Sequence, residues 1–187
     1  DTVIIAGMGG DLICKILKAK PEFLIEGKEF ILQPQSEWFK IRRLLKEYRY
    51  QIEKEWFLKE DGKYYVIIKA EPAWTQPQRL KHQQPSIHEY IKEISDTQVN
   101  QAVSEKDMES IYEQYGKYLI ETKNPVLKEY LEKEIVKKES IAADLKLSIK
   151  EMESEELSGK ERGNIAKRQR RYQEIQKEIR DMRKAIG

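Results

Sequence analysis

Residues 2–10, with the sequence TVIIAGMGG, decide the fold of this chain because they join an apolar run directly to a cluster of glycines. The apolar run is typical of a parallel strand that is covered on both faces. The glycines predict a sharp turn, and Asp11 can cap the helix that follows, whose apolar residues recur at helical spacing. The segment therefore predicts the first strand–turn–helix unit of an α/β fold.

The next segment repeats this order of elements. A second apolar strand, residues 30–32, stops at Gln33 and Pro34. A helix follows, with apolar residues three and four apart from Trp38 to Tyr48. Strand and helix in alternation predict an α/β class with parallel pairing of the two strands.

Residues 50–69 change character. Residues 50–58 alternate partly with period two, Asp61 and Gly62 form a turn signal, and residues 64–69 form another strand. This pattern predicts an antiparallel hairpin that closes the sheet. Residues 1–72 are therefore taken as one α/β domain.

The middle of the chain, residues 73–122, is predicted to be a polar linker or insertion with short helices. Pro77 and Pro85 interrupt its first part, where a helix is expected around His88 to Ile94. A further helix is predicted to carry Met108 and to end near Gly116.

Residues 123–187 show long helical periodicity and predict an antiparallel coiled-coil hairpin. Apolar residues step by three or four from Leu127 to Met152 and again from Tyr172 to Ile186. The breaks are expected at Ser158–Gly159 and Gly163–Asn164. The alternative is one continuous helix that forms a homodimer with a second copy of the chain.

Composition fits a modest core joined to solvated helices, since 39% of the residues are hydrophobic and 36% are charged. The single cysteine, Cys14, excludes an internal disulfide framework and suits the cytoplasm. No segment has the roughly 18–20 apolar residues that span a bilayer, and DTVIIAGMGG is not a signal peptide. Because the sequence opens inside a strand, we expect that an N-terminal portion is missing.

The turn from Ala6 to Gly10 is the first candidate site. Glycines let the backbone approach a ligand, and the helix that follows can offer free N–H groups. Ligands of open parallel sheets lie at the carboxyl ends of the strands, where Gln33 and Pro34 also fall. A plain strand-to-helix turn is the alternative. The spacing is not a dinucleotide fingerprint.

Taken together, these motifs resemble those of a known family. AGMGG-x-LI-x-x-IL, then ILQP, a helix with R-x-L, and DGKYY-x-I are similar to the bacterial tRNA adenine-22 N1-methyltransferase (TrmK) family. Residues 115–119, YGKYL, followed by a coiled coil, also match its architecture. The resemblance covers roughly residues 1–70 and 115–187.

The resemblance implies the C-terminal half of a Rossmann-like class I methyltransferase sheet that uses S-adenosylmethionine to methylate N1 of adenine in tRNA. It assigns catalytic positions to Gly7, Met8 and Gly9. Cofactor-binding positions would be Ala6, Gly7, Met8 and Gly10. Gln33 and Pro34 would lie beside the substrate. The family's donor-binding loop belongs to strands that precede this turn and is absent here.

The last helix carries an excess of basic residues, which suits phosphate contacts with tRNA. Arg168, Arg170 and Arg171 are the candidate substrate-binding residues, and a solvated coiled-coil face is the alternative. His82 and His88 lack cysteine or clustered carboxylate partners, so no metal is expected. The rival function is a non-catalytic RNA- or protein-binding module with a degenerate half-domain.

Overall fold

The computed structural model describes residues 1–73, 99–153 and 159–187. The chain forms two compact units, Asp1–Asn124 and Pro125–Gly187. The helix expected around His88 to Ile94, and His82, lie outside the described residues. The division into residues 1–72, 73–122 and 123–187 stays a prediction.

A mixed four-stranded sheet forms the centre of the first unit. Its strands are β1 (Thr2–Met8), β2 (Glu29–Pro34), β3 (Tyr50–Glu60) and β4 (Lys63–Pro72). Their spatial order is β1-β2-β4-β3. β1 and β2 run parallel, whereas β4 runs antiparallel to both β2 and β3. The predicted α/β class, the parallel pair and the hairpin are confirmed.

The hairpin turn follows the chemistry that its sequence predicts. Asp61 and Gly62 alone connect β3 to β4, with φ of 48° and 78°. Two positive φ angles are what a type I′ turn requires, and Asp-Gly is a preferred sequence for it. This turn sets the pairing in which Glu60 faces Lys63.

β1 differs from the expectation of a strand covered on both faces. Within the described residues it lies at one edge of the sheet and pairs with β2 alone. The side chain of Ile4 is 68% exposed. Apolar sequence predicted burial correctly for β2, whose Phe30 and Leu32 are fully buried, but not for β1.

Five helices are formed by the described residues of the first unit. They are α1 (Gly10–Ala19), α2 (Pro21–Ile25), α3 (Trp38–Glu47), α4 (Val99–Tyr115) and α5 (Lys117–Glu121). α1 packs on α3, and α3 packs on β3 and α4. Ile13 and Leu17 in α1 and Ile41 and Leu45 in α3 are fully buried, as their helical spacing predicts. The helix predicted to end near Gly116 ends at Tyr115.

The start of α1 corrects one expectation. Asp11 was predicted to cap this helix, but the helix begins at Gly10 with Gly9 as its N-cap and no side-chain cap hydrogen bond. Asp11 lies too far along the chain to be the cap. Its carboxylate instead pairs with Lys15 at 2.8 Å and Lys40 at 3.0 Å.

The second unit consists of α6 (Pro125–Glu153) and α7 (Gly159–Ile186). Lys138 contacts Glu178 and Ser148 contacts Arg168, so the two helices run antiparallel. The helical hairpin is therefore observed, while its coiled-coil supercoiling stays a prediction.

The break expected at Gly163–Asn164 is wrong, because both residues lie inside α7. A glycine costs a helix interior only about 1 kcal/mol relative to alanine. The apolar stripe of the same helix offsets that cost, since Ile165, Ile175 and Ile179 are buried. In the part of the chain that the structure describes, no helix is both long and apolar enough to cross a membrane.

Candidate functional site

The carboxyl ends of β1 and β2 lie side by side and bring the two predicted motifs together. Ala6 pairs with Gln33 and Met8 pairs with Pro34, with an irregularity between them at Gly7. Gly7 has a φ of +78°, a conformation that side chains with a Cβ rarely adopt. Glycine at this position therefore permits the bulge that ends β1.

Hydrogen bonds join the two strand ends across this edge. The Gly7 N–H donates to Oε1 of Gln33 at 2.8 Å. The Gln35 N–H donates to the Met8 carbonyl at 2.8 Å, and the Gly10 N–H donates to the Ser36 carbonyl at 2.9 Å. We call residues 6–10 and 33–37, joined in this way, the strand-end wall.

Gly9 and Gly10 allow the two segments of the wall to pack closely against each other. A Cβ at Gly10 would lie 2.6 Å from the backbone oxygen of Glu37 and 2.7 Å from that of Ser36. A Cβ at Gly9 would lie 3.1 Å from Oγ of Ser36. The space that these glycines leave is thus filled by the chain's own 36–37 segment, which sequence reasoning had left open for a ligand.

The amino end of α1 is also occupied by the protein itself. The Gly10 N–H is bonded to Ser36, and the Asp11 N–H donates to a Glu37 carboxylate oxygen at 3.3 Å. The expectation that these N–H groups are free is therefore wrong. Glu37 is the N-cap residue of α3 and has a left-handed backbone, with φ of 53°. Its carboxylate occupies the position at the amino end of α1 that a ligand was expected to take.

The acidic groups in and next to the wall, Glu37 and Asp11, are engaged as well. Hydrogen bonds from Lys15 and then Lys40 hold the pKa of the Asp11 carboxyl below its ordinary value. Lys40 also pairs with Glu37. Both carboxylates are therefore engaged by lysines in this arrangement.

Two features of the strand-end wall can still contact a ligand: the exposed end of β1 and one polar side-chain atom. Gly7 and Met8 are exposed, and no described atom lies within 4 Å of the position that a Gly7 Cβ would take. Nε2 of Gln33 is buried without a hydrogen-bond partner among the described residues. Because Oε1 of Gln33 accepts the hydrogen bond from Gly7, the other end of the amide is its Nε2 group, which is a hydrogen-bond donor. The wall can therefore shape and orient a ligand.

Arg168, Arg170 and Arg171 belong to the other compact unit, on α7. Arg168 contacts Oγ of Ser148. Arg170 and Arg171 pair with Glu174 at 3.4 and 3.2 Å, and all three arginines are exposed. These surface contacts are weak and can be exchanged for phosphate contacts.

Sequence reasoning missed a buried ion pair. Nε of Arg42 donates to Oε1 of Glu55 at 2.8 Å, and both side chains are at least 95% buried. Nη1 of Arg42 also donates to the carbonyls of Glu113 and Gln114, at the carboxyl end of α4. A helix offers its unpaired carbonyls there, so a cation stabilises that end.

Gly116 covers this ion pair with a φ of +92°. A Cβ there would overlap Oε2 of Glu55 and lie 2.8 Å from Nη2 of Arg42, two atoms without a hydrogen-bond partner in the described part of the chain. Burial raises the pKa of the Glu55 carboxyl, although Arg42 opposes that effect. Because Arg42 and Glu55 lie thirteen residues apart, no local sequence pattern marks them as an ion pair. The predicted α3 and β3 could have suggested only that the two residues lie near each other.

No metal site is formed by the described residues: none of their His, Cys, Asp and Glu side chains cluster in groups of three or more able to hold an ion. The expectation that no metal is used stays a prediction.

Comparison with known proteins gives the resemblance a firm basis. The family model of tRNA (adenine(22)-N(1))-methyltransferase, TrmK, matches residues 1–114. A Bacillus subtilis (strain 168) protein named tRNA (adenine(22)-N(1))-methyltransferase is 33% identical to this chain, over a match that covers 54% of each. The chain therefore spans about half the length of this curated relative.

Solved structures agree in fold. The crystal structure of the Bacillus subtilis tRNA methyltransferase TrmK is 23% identical with a TM-score of 0.60, covering 100% of this chain and 63% of that one. Mycoplasma capricolum TrmK, in complex with S-adenosyl-homocysteine, is 20% identical with a TM-score of 0.55, covering 100% and 59%. Since the family model matches more than half of its residues, this chain belongs to the tRNA (adenine(22)-N(1))-methyltransferase (TrmK) family.

Proposed function

We propose that this chain contributes the strand-end wall to an S-adenosylmethionine-dependent methyltransferase acting on N1 of adenine in tRNA. The observation that carries the proposal is the hydrogen bond from Gly7 to Gln33, which leaves Nε2 of Gln33 as a donor unused within the described residues, beside an exposed glycine. Family membership and the name of the Bacillus subtilis relative support the substrate, and the S-adenosyl-homocysteine bound to the Mycoplasma capricolum protein supports the cofactor.

The strand-end wall has some of the features that binding of the methyl donor requires. Gly7 offers a surface without a Cβ, and Ala6 and Met8 flank it at the exposed end of β1. The carboxylate of Asp11, next to the wall, is held by lysines, and that of Glu37, within the wall, is held by Lys40 and by the amino end of α1. These residues would therefore line one side of the donor, and S-adenosylmethionine supplies an electrophilic methyl group when bound.

The contribution of the wall to the reaction is orientation. Methyl transfer to N1 needs the nucleophilic nitrogen in line with the methyl group, and fixed geometry supplies much of the rate in such reactions. Nε2 of Gln33 is a donor, so contact with N1 itself would occupy the lone pair that must react. We therefore assign Gln33 to another acceptor of the bound base or donor, with Pro34 fixing the path of the chain beyond it.

We assign Arg168, Arg170 and Arg171 to phosphate contacts with tRNA. α7 carries ten Lys and Arg residues against four Asp and Glu residues. Such an excess favours nucleic acid and makes the affinity fall as salt rises. We also propose that the protein acts in the cytoplasm, that it uses no metal, and that the second unit forms a homodimer.

A methyl-transfer assay on unmodified tRNA with the full-length protein tests the function. We expect 1-methyladenosine in the product. Gln33→Glu keeps an oxygen for the Gly7 N–H but loses the amino donor, whereas Gln33→Ala loses both. Both variants should therefore lose methyl-transfer activity. The free energy of unfolding of Gln33→Glu should lie closer to that of the parent than the value for Gln33→Ala does.

No methyladenosine with intact, salt-dependent tRNA binding would favour the rival function, a non-catalytic RNA-binding module. Full activity in Gln33→Glu would show that the amino group of Gln33 has no part in the reaction.

A further inference from the structure

The exposed apolar side chains of the second unit are concentrated on one helix. Among the described residues of this unit, the large apolar side chains that remain exposed are Val136, Ile141 and Leu147. All three belong to α6. Val136 is 67% exposed and Leu147 is 61% exposed, so the hairpin by itself leaves this part of α6 in contact with water.

Val136 and Leu147 are the two ends of a continuous stripe. Ser140 and Ala143 lie between them and are also exposed. The four residues are four, three and four positions apart, which is the spacing of the a and d positions of a coiled coil. We call these four residues the α6 stripe.

The α6 stripe is not the face that the hairpin buries. α6 packs on α7, and Ile135 and Ala142, each one position before a stripe residue, are buried. One position along an α-helix is a rotation of about 100°. The stripe therefore lies beside the buried face, as on a helix of a bundle that contacts two neighbouring helices.

The charges beside the stripe are complementary to those of a second copy in antiparallel orientation. Lys137 and Asp144 flank one side of the stripe, and Glu139 and Lys146 flank the other. In an antiparallel pair of α6 helices, Lys137 of one copy lies opposite Asp144 of the other. Glu139 lies opposite Lys146 in the same way. Two-fold symmetry forms each contact twice, which gives four pairs of opposite charge.

Parallel pairing of the same stripe lacks this match, because Glu139 would lie opposite Asp144 of the second copy. Asp144 and Lys146 form no ion pair within the part of the chain that the structure describes. Lys137 and Glu139 pair with Glu134 and Arg183 through exposed side chains. Such surface pairs contribute little, so they can be exchanged for contacts with a second copy.

We propose that the α6 stripe is the contact through which two copies of this chain form an antiparallel, two-fold symmetric dimer. The inference rests on the proposed homodimer of the second unit and assigns its interface and its orientation. Val136 of each copy faces Leu147 of the other, and the small Ser140 and Ala143 lie next to the two-fold axis. The flanking charge pairs select the antiparallel orientation.

Sedimentation equilibrium of the full chain over a range of concentrations tests the interface. We expect a reversible dimer with a dissociation constant on the order of 10–100 μM, because four residues of each copy form the apolar contact. Leu147→Lys should weaken the dimer about tenfold or more, since both copies lose a buried leucine. The matched control is Ile141→Lys, which changes an exposed apolar residue of the same helix outside the stripe and should leave the dissociation constant unchanged.

A charge exchange tests whether the flanking pairs join two copies. Asp144→Lys should weaken the dimer about threefold or more, because it places two lysines opposite each other twice. Adding Lys137→Asp to the same chain should restore the affinity, since the charges of both copies are then exchanged. A double variant as weak as Asp144→Lys alone would overturn the assigned pairing.

Disulfide formation tests the orientation. Val136→Cys and Leu147→Cys are prepared as separate proteins, each with Cys14→Ser, and are mixed under mild oxidation. Antiparallel pairing predicts a disulfide between the two different variants, which mass spectrometry identifies. Disulfides that join like with like would overturn the antiparallel dimer.

The outcomes separate this inference from the proposals on which it rests. A monomer at every concentration up to about 500 μM would overturn both the interface and the proposed homodimer. A dimer that Leu147→Lys and Ile141→Lys leave equally strong would overturn the interface alone. The methyl-transfer assay is independent of both results.

Discussion

Replacing Gly116 by alanine tests how far the first unit depends on its buried ion pair. Gly116 has a φ of +92°, and a left-handed backbone costs a residue with a Cβ roughly 1–2 kcal/mol. The new Cβ would also overlap Oε2 of Glu55 and lie 2.8 Å from Nη2 of Arg42. These atoms belong to buried, hydrogen-bonded side chains, so the clash must separate the pair or displace α5.

The magnitude follows from these two effects. Breaking a buried ion pair costs about 3–5 kcal/mol, because each charge remains buried without its partner. With the backbone strain included, we expect Gly116→Ala to lower the free energy of unfolding of the first unit by about 4 kcal/mol or more. That is a large share of the roughly 5–15 kcal/mol that stabilises a typical domain.

Urea unfolding followed by tryptophan fluorescence measures this change, since Trp38 and Trp56 both lie in the first unit. Gly62→Ala is the matched control. Gly62 has a φ of +78°, but no described atom lies within 4 Å of the position that its Cβ would take, so only the backbone strain of about 1–2 kcal/mol applies. If the two variants differ by less than about 1 kcal/mol, the argument from the ion pair is refuted.

Three further outcomes are expected. Gly10→Ala should lower stability and methyl transfer together, because its Cβ meets the backbone at residues 36–37; unchanged activity would contradict the role of the wall. Burial raises the pKa of Glu55 above its ordinary value of 4.5, so ionisation opposes folding. The stability of the parent relative to Glu55→Gln, measured by urea unfolding, should therefore be greatest at acid pH and fall as pH rises from about 4.5 through the raised pKa; a pH-independent difference would exclude this coupling. Charge reversal at Arg168, Arg170 and Arg171 should weaken tRNA binding and flatten its salt dependence in a filter-binding assay. The control reverses the charge of three exposed, glutamate-paired lysines of α6, namely Lys128, Lys133 and Lys137. An equal loss of tRNA binding in that control would favour the solvated-face alternative.

Local patterns in the sequence were enough for the order of elements. Apolar runs predicted β1 and β2, and period-two alternation with the Asp-Gly turn signal predicted β3 and β4. Helical spacing predicted α1, α3, α6 and α7, because such spacing records which face of a helix meets the core. The Asp61–Gly62 turn was readable because only a few residues tolerate two positive φ angles. The pairing of AGMGG with ILQP followed from the rule that parallel strands end at one edge.

Contacts between distant segments were not readable. The sequence around Gly9 and Gly10 is equally consistent with a ligand-binding turn, but residues 36–37 fill the space beside these glycines. Asp11 has the sequence position of a helix cap, yet Glu37, twenty-six residues away, bonds to the helix amino end. The predicted burial of β1 differs from the structure for a related reason, because the side chains of a strand are buried only where other elements pack on its faces.

By itself, the sequence determined the α/β class, the hairpin and the two long helices, because each depends on neighbours within a few residues along the chain. Only the tertiary structure decided that Gly7 orients the amide of Gln33 and that Arg42, Glu55 and Gly116 meet at the end of α4. Those interactions join segments separated by thirteen to more than seventy residues, and their free energies depend on burial and angstrom-scale distances that no local pattern encodes.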